Sequence, residues 1–226
     1  MSSQKLSIYT IKTNEQAPWL EIVRQLLARN TEQERCIINE QTDSYIGGCY
    51  LLETINNQTQ YNIDENRFES IPVKRLNIMK FDIFIENNTL LLWGGKKVAT
   101  SFLTALELAS NQHITIKYKD SDYKQIIKYL LSNPNVVFTK MKITGIIIDQ
   151  GLIANCIVSL REQEEPNTII TKYLDNISQI GFVIGKNELA TTLTVYSSGA
   201  VVIYKDRDDI ADEAMNIISE MFGGIM

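Results

Sequence analysis

The sequence predicts an α+β protein, antiparallel sheets with helices on one face, and three observations carry that prediction. Residues 191–222 read in one pass as strand, tight turn, strand and capped helix. A weaker copy of the same order runs over residues 81–110. Elsewhere, short runs alternate apolar and polar with period two, and others repeat apolar residues at helical spacing, with turn residues between them.

Taken in order, residues 5–12 alternate Leu6, Ile8 and Thr10 against Ser7, Tyr9 and Ile11, a first strand. Pro18 stands at a helix start, and Trp19, Ile22, Val23, Leu26 and Leu27 form one apolar stripe. Arg29-Asn30 closes that helix with a cation and with an Asn able to take the left-handed conformation. Residues 34–75 are strand-like but irregular, and the Asn- and Gln-rich stretch 55–66 reads as a loop or a long hairpin turn. Gly47-Gly48 marks a bulge or the close approach of another backbone; a phosphate cradle would need a helix after it, and no helix signal follows.

From Val73 the pattern is regular again. Residues 78–85 form a strand, Glu86-Asn87-Asn88 a turn, and 89–93 the return strand. Trp93-Gly94-Gly95-Lys96-Lys97 lacks the spacing of a phosphate loop, so it reads as a strand-to-helix turn with solvated lysines before the stripe Val98, Phe102, Ala105, Leu106, Ala109. Residues 114–118 are a strand and 123–131 a short helix. Ser132-Asn133-Pro134-Asn135 then gives the best linker, and divides the chain into α+β units at 1–133 and 134–226, with one continuous saddle-like domain as the alternative.

Beyond it, residues 136–148 and 151–160 pair around Asp149-Gln150-Gly151. Asn167, after Pro166, caps a helix bearing Ile169, Ile170, Tyr173, Leu174 and Ile177, and 179–184 return as a strand. In the last stretch Leu193 and Val195 face the core with Val201 and Ile203. Asp206 and Asp208 cap a final helix that ends at Gly223-Gly224.

The turn Tyr196-Ser197-Ser198-Gly199, followed by Val201-Val202-Ile203 and an acid-capped helix, resembles the signature hairpin of the TATA-box-binding protein family. The copy at 81–110 is similar to that family's duplicated, saddle-like architecture. The resemblance implies a sheet used as a binding face. Minor-groove DNA binding does not carry over, because Ala200 follows the turn glycine where the family has a basic residue, and the first copy has Glu86-Asn87-Asn88-Thr89 in place of Ser-Ser-Gly. Half-repeats of this kind also serve as protein-interaction modules.

Composition narrows the function. A formal net charge of -5 disfavours a nucleic-acid partner, which would call for a basic stripe. Lysine groups such as 117, 119, 124 and 128, or 140, 142 and 172, read as solvated faces. Three cysteines without a CxxC spacing suggest buried thiols rather than disulfides or zinc. No apolar leader opens the sequence and no apolar run approaches a membrane span, so a soluble, cytoplasmic protein is expected. No cofactor or metal is indicated.

Chemistry has few candidates. His113 is the single histidine and sits in a helix-to-strand connection, with no nucleophile motif near it. Asp82 and Glu86 share a strand face by period two, the only basis for a metal-dependent hydrolase or nuclease. The leading expectation is a non-catalytic interaction protein, an accessory subunit of a bacterial or phage complex. It would bind a protein partner through an open sheet face or edge; a homo-oligomer is compatible with this, and a DNA-associated regulator is the alternative. The face residues opposite the helices are Thr192, Thr194 and Tyr196 in one hairpin and Asp82, Phe84 and Glu86 in the other.

Overall fold

A computed structural model describes residues 4–13, 18–119, 122–149 and 151–223. In chain order they form β1 (Gln4–Thr13), α1 (Trp19–Ala28), β2 (Glu34–Gln41), β3 (Tyr45–Asn62), β4 (Arg67–Phe84), β5 (Thr89–Trp93), α2 (Lys96–Ala109) and β6 (Ile114–Tyr118). Next come α3 (Tyr123–Ser132), β7 (Val136–Asp149), β8 (Leu152–Ser159), α4 (Pro166–Lys172), β9 (Ile177–Ile184), β10 (Thr191–Tyr196), β11 (Val201–Ile203) and α5 (Asp212–Gly223). The class is α+β, with antiparallel ladders throughout the registers from β1–β11 to β7–β9.

The chain divides into two compact units, Tyr9–Lys117 and a second made of Met1–Ile8 with Tyr118–Met226. The division therefore falls before α3 and not at the expected 133/134. Asn133-Pro134 does end a helix, but α3 belongs to the C-terminal unit. It packs on α5, Tyr129 donates its hydroxyl to Glu220 at 2.7 Å, and Asn135 donates its amide to Glu213 at 2.7 Å. Proline stops a helix locally; it carries no information about these distant partners.

In the Tyr9–Lys117 unit the strand order is β2-β3-β4-β5 followed by β1, with β6 also on β1. Even positions of β3 and β5 and odd positions of β4 share one face by register. On that face Ile46, Tyr50, Met79, Phe81, Ile83, Leu90 and Leu92 form a core with the stripes of α1 and α2. Phe81 stacks on Phe102 of α2 at 4.5 Å between centroids, and Tyr50 meets the same ring edge-on at 5.4 Å. Burying such rings contributes roughly 2–3 kcal/mol each.

In the second unit the order is β8-β7-β9-β10-β11, then the start of β1. Ile180, Phe182, Leu193, Val195, Val201 and Ile203 are buried on one face by register, as expected of the last hairpin. Both predicted hairpin–helix segments form. Their turns share a closing bond and a left-handed fourth residue: the amides of Asn88 and Gly199 close onto Ile85 at 3.2 Å and Tyr196 at 2.9 Å, with φ 50° and 79°. The loops differ in length, Phe84 pairing with Thr89 in the first and the Tyr196 amide bonding Ala200 O at 2.9 Å in the second. Asn88 thus does in the first turn what glycine does in the second, since Asn tolerates that region best after Gly. Upstream the wiring differs. The first strand of the β7–β8 hairpin lies inward beside β9, whereas β2 is the edge and β3 lies inward.

Three local expectations shift. The stretch 55–66 is mostly strand: β3 runs to Asn62, β4 restarts at Arg67, and only residues 63–66 turn, with Asn62 Oδ1 accepting from the amides of Asp64 and Glu65 at 3.0 and 3.2 Å. Asp206 caps a short 3₁₀ turn at Arg207–Asp209, and α5 begins at Asp212 with Asp212 and Glu213 in its first turn. At α4 Pro166 is the first helical residue and Glu165 the cap position, in place of Asn167. Gln150 in the predicted β7–β8 turn, and Gly224 as a helix terminator, lie outside the described residues.

Candidate functional site

The six sheet-face residues fare differently. Thr192 is exposed and Tyr196 half-buried, but Thr194 is 1% exposed. It is a small side chain in mid-sheet between Val202 and Gly181, and the Lys140 stem lies over Gly181. Phe84 is half-buried against Tyr45, with ring centroids 5.5 Å apart. Glu86 is exposed in the turn after β4 ends, so it does not continue the strand face of Asp82.

Asp82 corrects its expectation most clearly, being 2% exposed. Its Oδ1 accepts the Tyr45 hydroxyl at 2.6 Å and its Oδ2 the indole N–H of Trp93 at 2.5 Å. Tyr45 reaches it across Gly47, which pairs with Asp82 in register. Asp82 is thus a buried acceptor for two aromatic donors, and Glu86 does not join it. Among the described residues no cluster of three or more His, Cys, Asp or Glu side chains is arranged to hold a metal ion.

The Gly47-Gly48 expectation holds in both forms. A side chain at Gly48 would overlap the Ile37 carbonyl oxygen of β2, and the β2–β3 register shifts between Ile38 and Glu40.

A surface that the sequence did not reveal as such is the outer part of the β3–β4 hairpin. β2 leaves β3 at the Glu34↔Leu52 pair, and β5 joins β4 only between Lys80 and Phe84. Beyond that, pairing runs unbroken from Glu53↔Leu76 to Asn62↔Arg67 with no third strand in the described ladders. At ~3.3 Å per residue this is a ribbon about 30 Å long. An isolated two-stranded ribbon is marginal in water, and local contacts brace this one. Tyr61 packs edge-on against Phe68 at 5.0 Å, Lys74 pairs with Glu53 at 2.8 Å, and the Asn77 amide donates to Leu52 O and Thr54 Oγ1 at 3.1 and 3.0 Å.

The ribbon presents apolar side chains to solvent. Leu51/Ile78, Ile55/Lys74 and Tyr61/Phe68 are cross-strand pairs on the face opposite the helices, and Leu76 and Pro72 stand between them. Phe68 is 73%, Ile78 59% and Leu76 58% exposed. Residues 53–76 carry four carboxylates, Glu53, Asp64, Glu65 and Glu69, against three cations, Arg67, Lys74 and Arg75. Arg67 is itself held by Glu65 at 2.5 Å and Glu69 at 3.2 Å. A second, shorter apolar strip lies on the β7–β8 hairpin, where Ile147 pairs with Ile153 and shares its face with Ile157.

The lysine groups are partly engaged. Lys124 pairs with Asp175 at 2.5 Å, which raises its pKa and lowers that of Asp175, and Lys172 lies over the Tyr173 ring at 5.3 Å. Burial lowers the pKa of Lys119. His113 sits in the α2–β6 connection, its amide bonded to Ser110 O at 2.9 Å.

No protein-family model matches this chain, and no curated protein matches it significantly. Among the described residues no helix is long and apolar enough to cross a membrane.

Proposed function

We propose that the chain is a non-catalytic interaction protein, an accessory subunit acting in the cytoplasm, that docks a protein partner along the β3–β4 ribbon. The ribbon itself carries the reading, because it extends beyond its sheet while exposing Ile55, Phe68, Leu76 and Ile78. An exposed apolar strand pair left in water is an aggregation hazard that a partner removes. Tyr61 and Phe68 are the side chains best suited to anchor such a contact.

The charges define the partner's chemistry. With four carboxylates against three cations, and Arg67 and Lys74 held by neighbouring acids, the ribbon has no cationic surplus to replace phosphate counterions. It fits a protein that presents a complementary apolar strip or strand edge. Kinship with the TATA-box-binding fold is proposed for the two hairpin–helix segments alone, since the strands before them are wired differently.

The test is affinity capture from the native host, followed by reconstitution from purified components. Phe68→Asp with Leu76→Asp should weaken the reconstituted complex at least ~100-fold while leaving the melting temperature near wild type. Undiminished affinity of the double variant, recovery of nucleic acid alone, or a clean monomer with no reconstitutable partner would each sink the proposal.

A further inference from the structure

The Tyr9–Lys117 unit holds a cleft of about 820 Å³ away from the ribbon. Its walls are the end of α1 with the turn after it, the start of β2, and one side of α2 from Lys96 to Leu108. The size falls in the range of pockets that take whole small molecules.

The chain is acidic, yet three cations, Arg29, Lys96 and Lys97, line this cleft against a single carboxylate, Glu34. Glu34 accepts the Tyr50 hydroxyl at 2.8 Å, and the ion pairs found among the described residues involve none of the three cations. The lysines also stand where a helix least favours them. α2 is 14 residues long, follows Gly95 at its N-cap with no side-chain cap, and has no acid in its first turn. Two cations at the positive end of a helix repel its dipole, and an anion there relieves both.

The rest of the cleft suits the body of a ligand. Leu26 and Ala105 give it apolar walls, and α2 lines one side with hydroxyls. Thr100 and Thr104 donate theirs to the carbonyls of Lys96 and Thr100 at 3.0 and 3.1 Å, which leaves their oxygens free to accept. Asn30 is fixed in place, exchanging two hydrogen bonds with the Cys36 backbone at 2.6 and 3.0 Å, so the wall at the end of α1 is pre-formed. Cys36 is no nucleophile, because burial pushes its thiol up to about 12.

We propose that this cleft binds a phosphorylated small molecule of nucleotide size, with the phosphate at Arg29, Lys96 and Lys97 and the body laid along the hydroxyl side of α2. It would do so without transforming it, which gives the chain a ligand-responsive site independent of the ribbon.

Titration calorimetry on the full chain tests this with AMP, ATP, glucose 6-phosphate, inorganic phosphate and uncharged adenosine. At least one phosphorylated organic probe should bind at least ~10-fold tighter than inorganic phosphate, adenosine should give no heat, and the nucleotides against the sugar phosphate identify the body. Lys96→Gln with Lys97→Gln should weaken that probe at least ~10-fold, the scale of losing a charged hydrogen bond. Thr104→Phe, which keeps every cation, should weaken the organic probe and spare inorganic phosphate. Far-UV circular dichroism and melting confirm that each variant is folded. No binding of any phosphorylated probe at millimolar concentration, unchanged affinity in the double lysine variant, or equal binding of adenosine would overturn it.

Discussion

Tyr45 reaches Asp82 only because residue 47 has no side chain; a Cβ there would overlap the Tyr45 hydroxyl. The glycine thus completes a buried cluster in which one carboxylate serves a phenol and an indole. Replacing Asp82 by Ala removes the acceptor of the buried Trp93 indole and of the half-buried Tyr45 hydroxyl, and should cost about 2–3 kcal/mol, read as a lower urea midpoint. Asp82→Asn, which keeps one acceptor oxygen, should cost less. A change under about 0.5 kcal/mol in the Ala variant would contradict this structural role. The sequence hid it, because alternation places Asp82 on a face but cannot say that Trp93 lies diagonally across the β4–β5 register. Titration adds a second residue-level consequence. Burial raises Cys36 from 9.0 to about 12, and burial with the Glu220 hydrogen bond raises Tyr129 from 10.0 to about 12. Burial likewise raises Tyr123, and burial with the Glu34 hydrogen bond raises Tyr50. Each folded value lies above the unfolded one, so the stabilisation is whole below the unfolded value and is lost as pH climbs through the folded one. Urea midpoints should hold to about pH 9 and fall toward pH 12, with a shallower fall in Cys36→Ala. A midpoint independent of pH across that window would refute the assignment.

At the scale of elements, helices were legible and the ribbon was not. The stripes of α1 and α2 each pack one face on a core, so apolar spacing of 3.6 betrays them. The ribbon covers no core, and nothing forces Asn56, Asn57, Gln58 and Gln60 into apolar alternation. The signal that could have found it is the β-forming set Ile55, Thr59, Tyr61, Phe68, Ile71 and Val73 placed symmetrically about an Asn-rich turn. The same reasoning explains the Gly48 close approach, which the isolated Gly-Gly pair did signal, because a glycine inside a strand has few other causes. The candidate cleft was half legible. Lys96 and Lys97 follow two glycines, but without phosphate-loop spacing the sequence reads them as solvated lysines. Only folding brings Arg29, from the end of α1, to the same cleft.

For the whole molecule, the closing hairpin and helix recur, each turn with a left-handed residue, while the loop lengths differ and the strands before them are ordered differently. A local grammar of strand, turn, strand and helix is written in consecutive residues and was read from them. Strand order and the Lys117/Tyr118 division depend on distant pairings, such as Gln4–Leu6 with Val201–Ile203, that no local pattern encodes. The central claim is that the ribbon is the docking surface, and hydrogen–deuterium exchange on the free chain and on the reconstituted complex tests it most directly. Amides of residues 53–76 should exchange fast in the free chain, as those of a ribbon with no third strand, and slow markedly in the complex. Unchanged exchange across 53–76, with protection appearing on β8 or on the helices instead, would contradict it.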